Sequence, residues 1–183
     1  MTARTHQKER TRGAIVAAAR ELADTGGEVT MPGVAAAARV SEATAYRYFP
    51  DLVSLLGEAI RREGAAEAMA SVADSDDPVE RVAAAAGVLA RDVLRRRGAV
   101  RAVLAGVITR PEVAQLRPGY RFELIEFALA PWRGAVDDLV QDLAIVVSAE
   151  AVLTLLDLCG LDDEGAVAGV VRTARALTRA AFP

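Results

Sequence analysis

Apolar residues in this chain recur every third or fourth position, and nowhere do they alternate cleanly with polar ones between Asn-Gly or Asp-Gly turns. Ile15, Ala18, Ala19 and Leu22 form one such stripe, Leu52, Leu55, Leu56 and Ile60 another, and Val79, Val82, Ala86, Leu89 and Val93 a third. That spacing collects side chains on one face of a helix, whereas a strand needs a period of two. Hairpins have no support, and the chain is expected to be all-α. Composition agrees: aromatic residues are 4%, and among the plentiful types only Val favours strands.

A chain of 183 residues is long enough for one large domain or a small and a medium one. With 52% hydrophobic residues it can build a sizeable core. A single cysteine, Cys159, excludes a disulfide framework and a Cys-rich zinc site. A single histidine, His6, excludes His-based metal sites and a Ser-His-Asp triad within one chain. No cofactor is expected. We read no apolar run approaching the ~18–20 residues of a bilayer span, and no signal peptide in the polar start. The expectation is a cytoplasmic protein with no membrane partner.

Charge is unevenly placed. The net formal charge is −3, yet residues 1–50 carry +2 and the rest −5. Arg4, Lys8, Arg10 and Arg12 crowd the first twelve residues. A basic head on an acidic body fits nucleic-acid contact at one end; it also fits a disordered, solubilising tail.

Breakers divide the stripes into elements. A first helix is expected over residues 7–25, stopped by Gly26 and Gly27. Thr30 is a candidate N-cap with Pro32 in the first turn, opening a short helix of small residues over 31–38. Ser41 caps a third short helix, which Pro50 ends. Asp51 caps a fourth, expected to run to about residue 70. A loop over 71–77 precedes a helix to about 97, another over 99–109, and a loop containing Pro111 and Pro118. A helix from about 119 runs into Pro131, which should kink or end it. Two helices over 139–159 and 162–181 close the chain as an antiparallel pair. The domains predicted are a basic arm and three-helix head (1–50), a connecting helix (51–70) and a bundle (71–183), with about nine helices in all.

Residues 30–49 read TMPGVAAAARVSEATAYRYF. A helix, a three-residue break and a second helix in this length is the helix-turn-helix plan, whose second helix lies in the major groove. Ser41 can both cap that helix and meet a phosphate. Thr44 and Arg47 can reach bases or phosphate, and the hydroxyls of Tyr46 and Tyr48 can donate to phosphate. The same pattern also fits two core helices, with Tyr46 and Phe49 as packing.

Residues 12–56 resemble the DNA-binding domain of TetR-family transcriptional regulators. The likeness runs through Ala18, Ala19, Leu22 and Gly26 of the first helix. It continues through Thr30, Val34, Ala35, Ala38, Val40, Ser41, Thr44, Tyr46, Tyr48 and Phe49, then Leu55 and Leu56. The resemblance implies that Glu42, Ala43, Thr44 and Arg47 face bases, and that Thr30, Ser41, Tyr46 and Tyr48 hold phosphates. Ala43 would meet a thymine methyl and Glu42 could accept from cytosine; Glu42 also has the alternatives of orienting Arg47 or facing water. Two positions depart from the family. Arg39 stands where glycine is frequent in the turn, an uncommon residue for left-handed backbone, and could offset the strain by contacting phosphate. Leu52 stands where lysine often clamps the DNA backbone; the basic tail could replace it.

For the body the resemblance implies a ligand-binding and dimerising bundle. Leu104, Ile108, Phe122, Phe127 and Trp132 would line an apolar pocket, with Gln115, Tyr120 and Arg121 orienting an unknown small-molecule effector. The last two helices would pair with those of a second copy through Val152, Leu156, Val167, Val170, Val171, Ala174 and Leu177. The partner implied is double-stranded DNA with a palindromic operator, bound by a homodimer. The function implied is a transcriptional regulator, a repressor released by its effector. A rival reading is a magnesium-dependent helical enzyme acting on prenyl diphosphates, from Asp137, Asp138 and Asp142. A chain this short, with no second acidic cluster on a facing helix, speaks against it; acidic residues at a helix N-terminus account for the run.

Overall fold

The computed structural model describes residues 3–110, 119–134 and 136–182, with side chains from Thr5 onward. Among the described residues it is all-helical and contains no strand. The loop expected around Pro111 and Pro118, with Gln115, lies outside them, as does the side chain of Arg4.

The chain divides into two compact units: Met1–Arg61 with Arg95–Pro118, and Arg62–Leu94 with Gly119–Pro183. The first unit holds α1 (Ala3–Asp24), α2 (Met31–Ala37), α3 (Glu42–Tyr48), α4 (Leu52–Ala59) and α7 (Arg97–Thr109). Helix α1 begins at Ala3, four residues before the expected start at residue 7. Ile15, Ala19, Ala23, Val34, Ala45, Leu55, Leu56 and Ala59 are buried in one core with Ala99 and Val103 of α7. Helix α7 thus belongs to the head's unit, which chain order alone assigned to the body. It approaches closely because two glycines let it. A Cβ on Gly98 would lie 2.2 Å from the Gly27 carbonyl oxygen, and one on Gly106 2.5 Å from a Val53 methyl.

The second unit holds α5 (Ala65–Ala68), α6 (Pro78–Arg95, except its last residue), α8 (Tyr120–Leu129), α9 (Asp137–Val146), α10 (Ala149–Asp157) and α11 (Asp163–Ala181). Arg81 is its organising polar residue, 3% exposed. Its guanidinium donates to the carbonyls of Val72 (3.0 Å) and Ala73 (2.6 Å) on one side and of Phe127 (2.7 Å) and Ala128 (2.8 Å) on the other. Arg81 thereby adds donors to carbonyls at the ends of two helical segments, those of Val72 and Phe127 accepting also from the Ser75 and Ala130 amides.

Eleven α-helices among the described residues exceed the expected nine because two long stripes break. The fourth helix ends at Ala59, not near residue 70. Arg20 Nε donates to the Ala59 carbonyl at 2.9 Å and Arg96 donates to that of Ile60 at 3.5 Å, so guanidinium groups take the place of the next turn's amides. Gly64 then turns left-handed at φ 89°. The stripe over 139–159 breaks at Val147–Ser148, where Ser148 is extended and its hydroxyl accepts from the Ala151 amide at 3.0 Å. The span Asp137–Asp157 has mean hydropathy 1.9 over an 18-residue window, more apolar than the sequence reading allowed. By length and composition it would suffice for a bilayer, but the break makes it two helices.

Candidate nucleic-acid interface

The helix-turn-helix is built by its caps. Thr30 Oγ1 accepts from the Gly33 amide at 3.2 Å and starts α2. At the other end the Arg39 amide donates to the Ala36 carbonyl (3.1 Å) and the Val40 amide to that of Ala35 (3.0 Å). This paired closure is a Schellman motif, and it requires its first residue past the helix to be left-handed. That residue is Arg39, at φ 55°, the one non-glycine with positive φ among the described residues. The turn therefore keeps the geometry glycine would give, and Arg39 carries the strain. Ser41 Oγ accepts from the Thr44 amide at 3.2 Å and lies 2.9 Å from Thr44 Oγ1, starting α3.

Helix α3 has two faces. Ala45 is fully buried, and Phe49, its C-cap, is 3% exposed. Glu42, Ala43, Tyr46 and Arg47 are exposed on the opposite side, together with Ser41, Arg39 and Thr30. Thr44 is half-buried, as is Tyr48, which packs against the head core beneath the Arg47 guanidinium, 5.6 Å from its ring centroid. No carboxylate among the described residues pairs with Arg39 or Arg47, so Glu42 does not hold Arg47. The expectation of Tyr46 as packing fails, since it is 49% exposed; Phe49 does pack. Leu52 packs against the head core, as an apolar residue in the lysine position should.

Asp51, the cap of α4, accepts from the Ser54 amide at 2.8 Å and from Arg110 at 2.9 Å. Hydrogen bonding from Arg110 holds its carboxyl below the usual range against the opposing effect of burial. Of the arm residues, Arg12 is held against the head while 47% exposed: it pairs through both terminal guanidinium nitrogens with Glu58 and lies over the Phe49 ring. The sequence held a signal for this, since Arg12 sits three residues before Ile15 on the buried stripe.

The residues expected to line a pocket fall in both units. Leu104 is half-buried and Ile108 is 79% exposed, both in the first unit. In the second, Phe122 is 47% exposed, Phe127 lies under Arg81, and Trp132 meets the Phe182 ring edge-on at 5.5 Å. Arg121 bridges the Ala144 carbonyl (3.1 Å) and Glu150 (3.0 Å). Tyr120 is 3% exposed, its hydroxyl buried with no hydrogen-bond partner among the described residues; burial raises its pKa while Arg62, 5.8 Å from the ring centroid, opposes that. The second unit does contain a cleft of about 500 Å³ between α8 and α9, lined by Glu126, Leu129, Arg133, Val136, Val140 and Gln141 among others, which the sequence reading missed.

At the end of the chain, Val152, Val167, Val170 and Ala174 are buried by the protomer itself, so they have little area left for a partner. Leu156, Val171 and Leu177 are half-buried, and Leu158, 82% exposed, and Leu161 extend the apolar surface. Asp137, Asp138 and Asp142 are exposed on α9, and no group of three or more His, Cys, Asp or Glu side chains among the described residues could hold a metal.

A capped helix-turn-helix whose second helix keeps an open face is the geometry of a major-groove reader. Residues 14–59 match the model of the family described as bacterial regulatory proteins, tetR family. A TetR transcriptional regulator from Rhodococcus sp. RHA1, 23% identical, shares the fold with a TM-score of 0.58 over 92% of this chain and 96% of that one. No curated protein sequence matches the chain. Residues 14–59 are thus similar to the tetR-family DNA-binding domain, and the chain as a whole shares the fold of that solved regulator.

Proposed function

We propose that this protein is a homodimeric transcriptional repressor in the cytoplasm, reading a palindromic operator with α3 and released by a small-molecule effector bound in its second unit. The observation that carries the reading is the open face of α3. Glu42, Ala43, Tyr46 and Arg47 stand in solvent on a helix whose other side is locked into the head core. In this reading Arg47, Thr44, Ala43 and Glu42 read base edges, while Thr30, Arg39, Ser41, Tyr46 and Tyr48 hold phosphates.

Dimerisation through α10 and α11 is supported by the apolar surface of Leu156, Leu158, Leu161, Val171 and Leu177. Two α3 helices must meet successive major grooves, ~34–36 Å apart. An effector acts by favouring the arrangement of the pair that misses this spacing. Tyr120 and Arg121 are assigned to the effector's neighbourhood, with Phe122, Phe127 and Trp132 as the apolar set of the second unit; Tyr120 supports this best, having a buried hydroxyl with no hydrogen-bond partner among the described residues. No membrane partner is assigned.

Selection from random duplex DNA by the full chain tests the reading. A palindrome whose half-sites lie about 10 base pairs apart, centre to centre, or a multiple of that, supports it; recovery of no preferred sequence refutes it.

A further inference from the structure

Arg12 occupies a junction of three helices. Its guanidinium pairs bidentately with Glu58, near the end of α4, and its Cζ lies 4.8 Å from the centroid of the Phe49 ring. Phe49 is the residue at which α3 ends: its amide donates to the Ala45 carbonyl at 2.9 Å, and its ring is buried in the head core. Pro50 and Asp51 alone separate it from α4. The forked guanidinium geometry matches a carboxylate and a ring face together, which a lysine ammonium cannot do. The Glu58 pair also raises the pKa of Arg12 and neutralises it locally, so it adds little positive field for a duplex.

We infer that Arg12 is a positioning residue for DNA recognition: by tying α1 to Glu58 of α4 across the Phe49 ring, it fixes the direction in which α3 leaves the head, and it makes no DNA contact itself. This rests on α3 being the helix that reads the duplex.

The two roles open to an arginine in a basic arm separate experimentally. A phosphate contact tolerates lysine, and its removal flattens the salt dependence of binding by about 0.9 in log–log slope. A positioning residue tolerates neither lysine nor loss of its carboxylate, and leaves the slope alone. The full chain and its Arg12→Lys, Arg12→Gln, Glu58→Gln and Arg12→Lys/Glu58→Gln variants are titrated with the selected duplex and with a one-base variant of it, at several salt concentrations. Titrations are run below the onset of thermal unfolding.

Arg12→Lys and Glu58→Gln should each weaken binding by about five- to tenfold, the scale of one charge-assisted hydrogen-bonded pair. Both should narrow the preference over the one-base variant. The double variant should be no weaker than the worse single, and Arg12→Gln should keep the slope. The Glu58→Gln result is the sharpest, because removing a negative charge near DNA would by field alone tighten binding. Should Arg12→Lys fail to fold, Glu58→Gln decides. Wild-type affinity in Arg12→Lys, tighter binding by Glu58→Gln, or a flattened slope in Arg12→Gln overturns the inference and leaves the role of α3 standing. A wild-type chain that prefers no duplex overturns both.

Discussion

Arg110, just past the end of α7, donates to Asp51 at 2.9 Å, and Asp51 is the same carboxylate that caps the first turn of α4. One side chain thus starts the helix that follows the recognition helix and ties it to an element far along the chain. Both residues lie in the head's compact unit.

The Asp51 carboxyl, lowered first by Arg110, gives a pH prediction with a definite sign. A folded-state pKa below the unfolded value stabilises the protein fully above about pH 3.8, the ordinary aspartate value. That contribution is lost as pH falls through the lowered value. Asp51→Asn should therefore unfold less steeply with acid than the wild type, by circular dichroism between pH 6 and 2, while losing stability at neutral pH. Parallel acid curves for the two proteins would contradict the pairing.

Arg39 should trade stability for affinity. Replacing a left-handed non-glycine residue by glycine removes a strain of roughly 1 kcal/mol. Arg39→Gly should raise the midpoint of urea unfolding while weakening duplex binding and flattening its salt slope by about 0.9. Unchanged binding would mean that the arginine contacts no phosphate.

Much of the head was legible because its signals are local. Thr30, Ser41 and Asp51 each read as a cap from the sequence, and each accepts the expected amide. The end of the fourth helix was not legible. Its last carbonyls are taken by Arg20 and Arg96, distant in sequence, and nothing around Ile60 announces a stop. Likewise the stripe over 139–159 hid a break because Ser148, polar but buried, looks like one tolerated residue in an apolar run. Periodicity finds the buried face of a helix without saying what buries it. For Val152, Val167, Val170 and Ala174 that face turned out to be the protomer's own core.

Gly98 is where α7 touches the backbone after α1. A methyl there would stand 2.2 Å from the Gly27 carbonyl oxygen and 2.9 Å from its carbon, and a backbone cannot swing aside as a side chain does. Gly98→Ala should lose about 1–3 kcal/mol in denaturant unfolding. A variant as stable as the wild type would show that the contact is looser than described.

Arg81 should resist conservative exchange. Its planar fork serves carbonyls on two sides, and a lysine reaches one side at a time, so the carbonyls on the other side lose this charged donor. Arg81→Lys should cost about 3 kcal/mol, read as a lowered unfolding midpoint with an unchanged denaturant slope. A loss under about 0.5 kcal/mol, the level of an ordinary surface exchange, would contradict that role.

Base reading by α3, as proposed, turns on Arg47, exposed on its open face and paired with no carboxylate among the described residues. Parallel selection from random duplex DNA by the wild-type chain and by Arg47→Ala measures its part directly. The variant is expected to select the same palindrome with preference lost at one symmetric pair of positions, at a cost of about 1–3 kcal/mol there. An identical preference profile and affinity for the two proteins would contradict it.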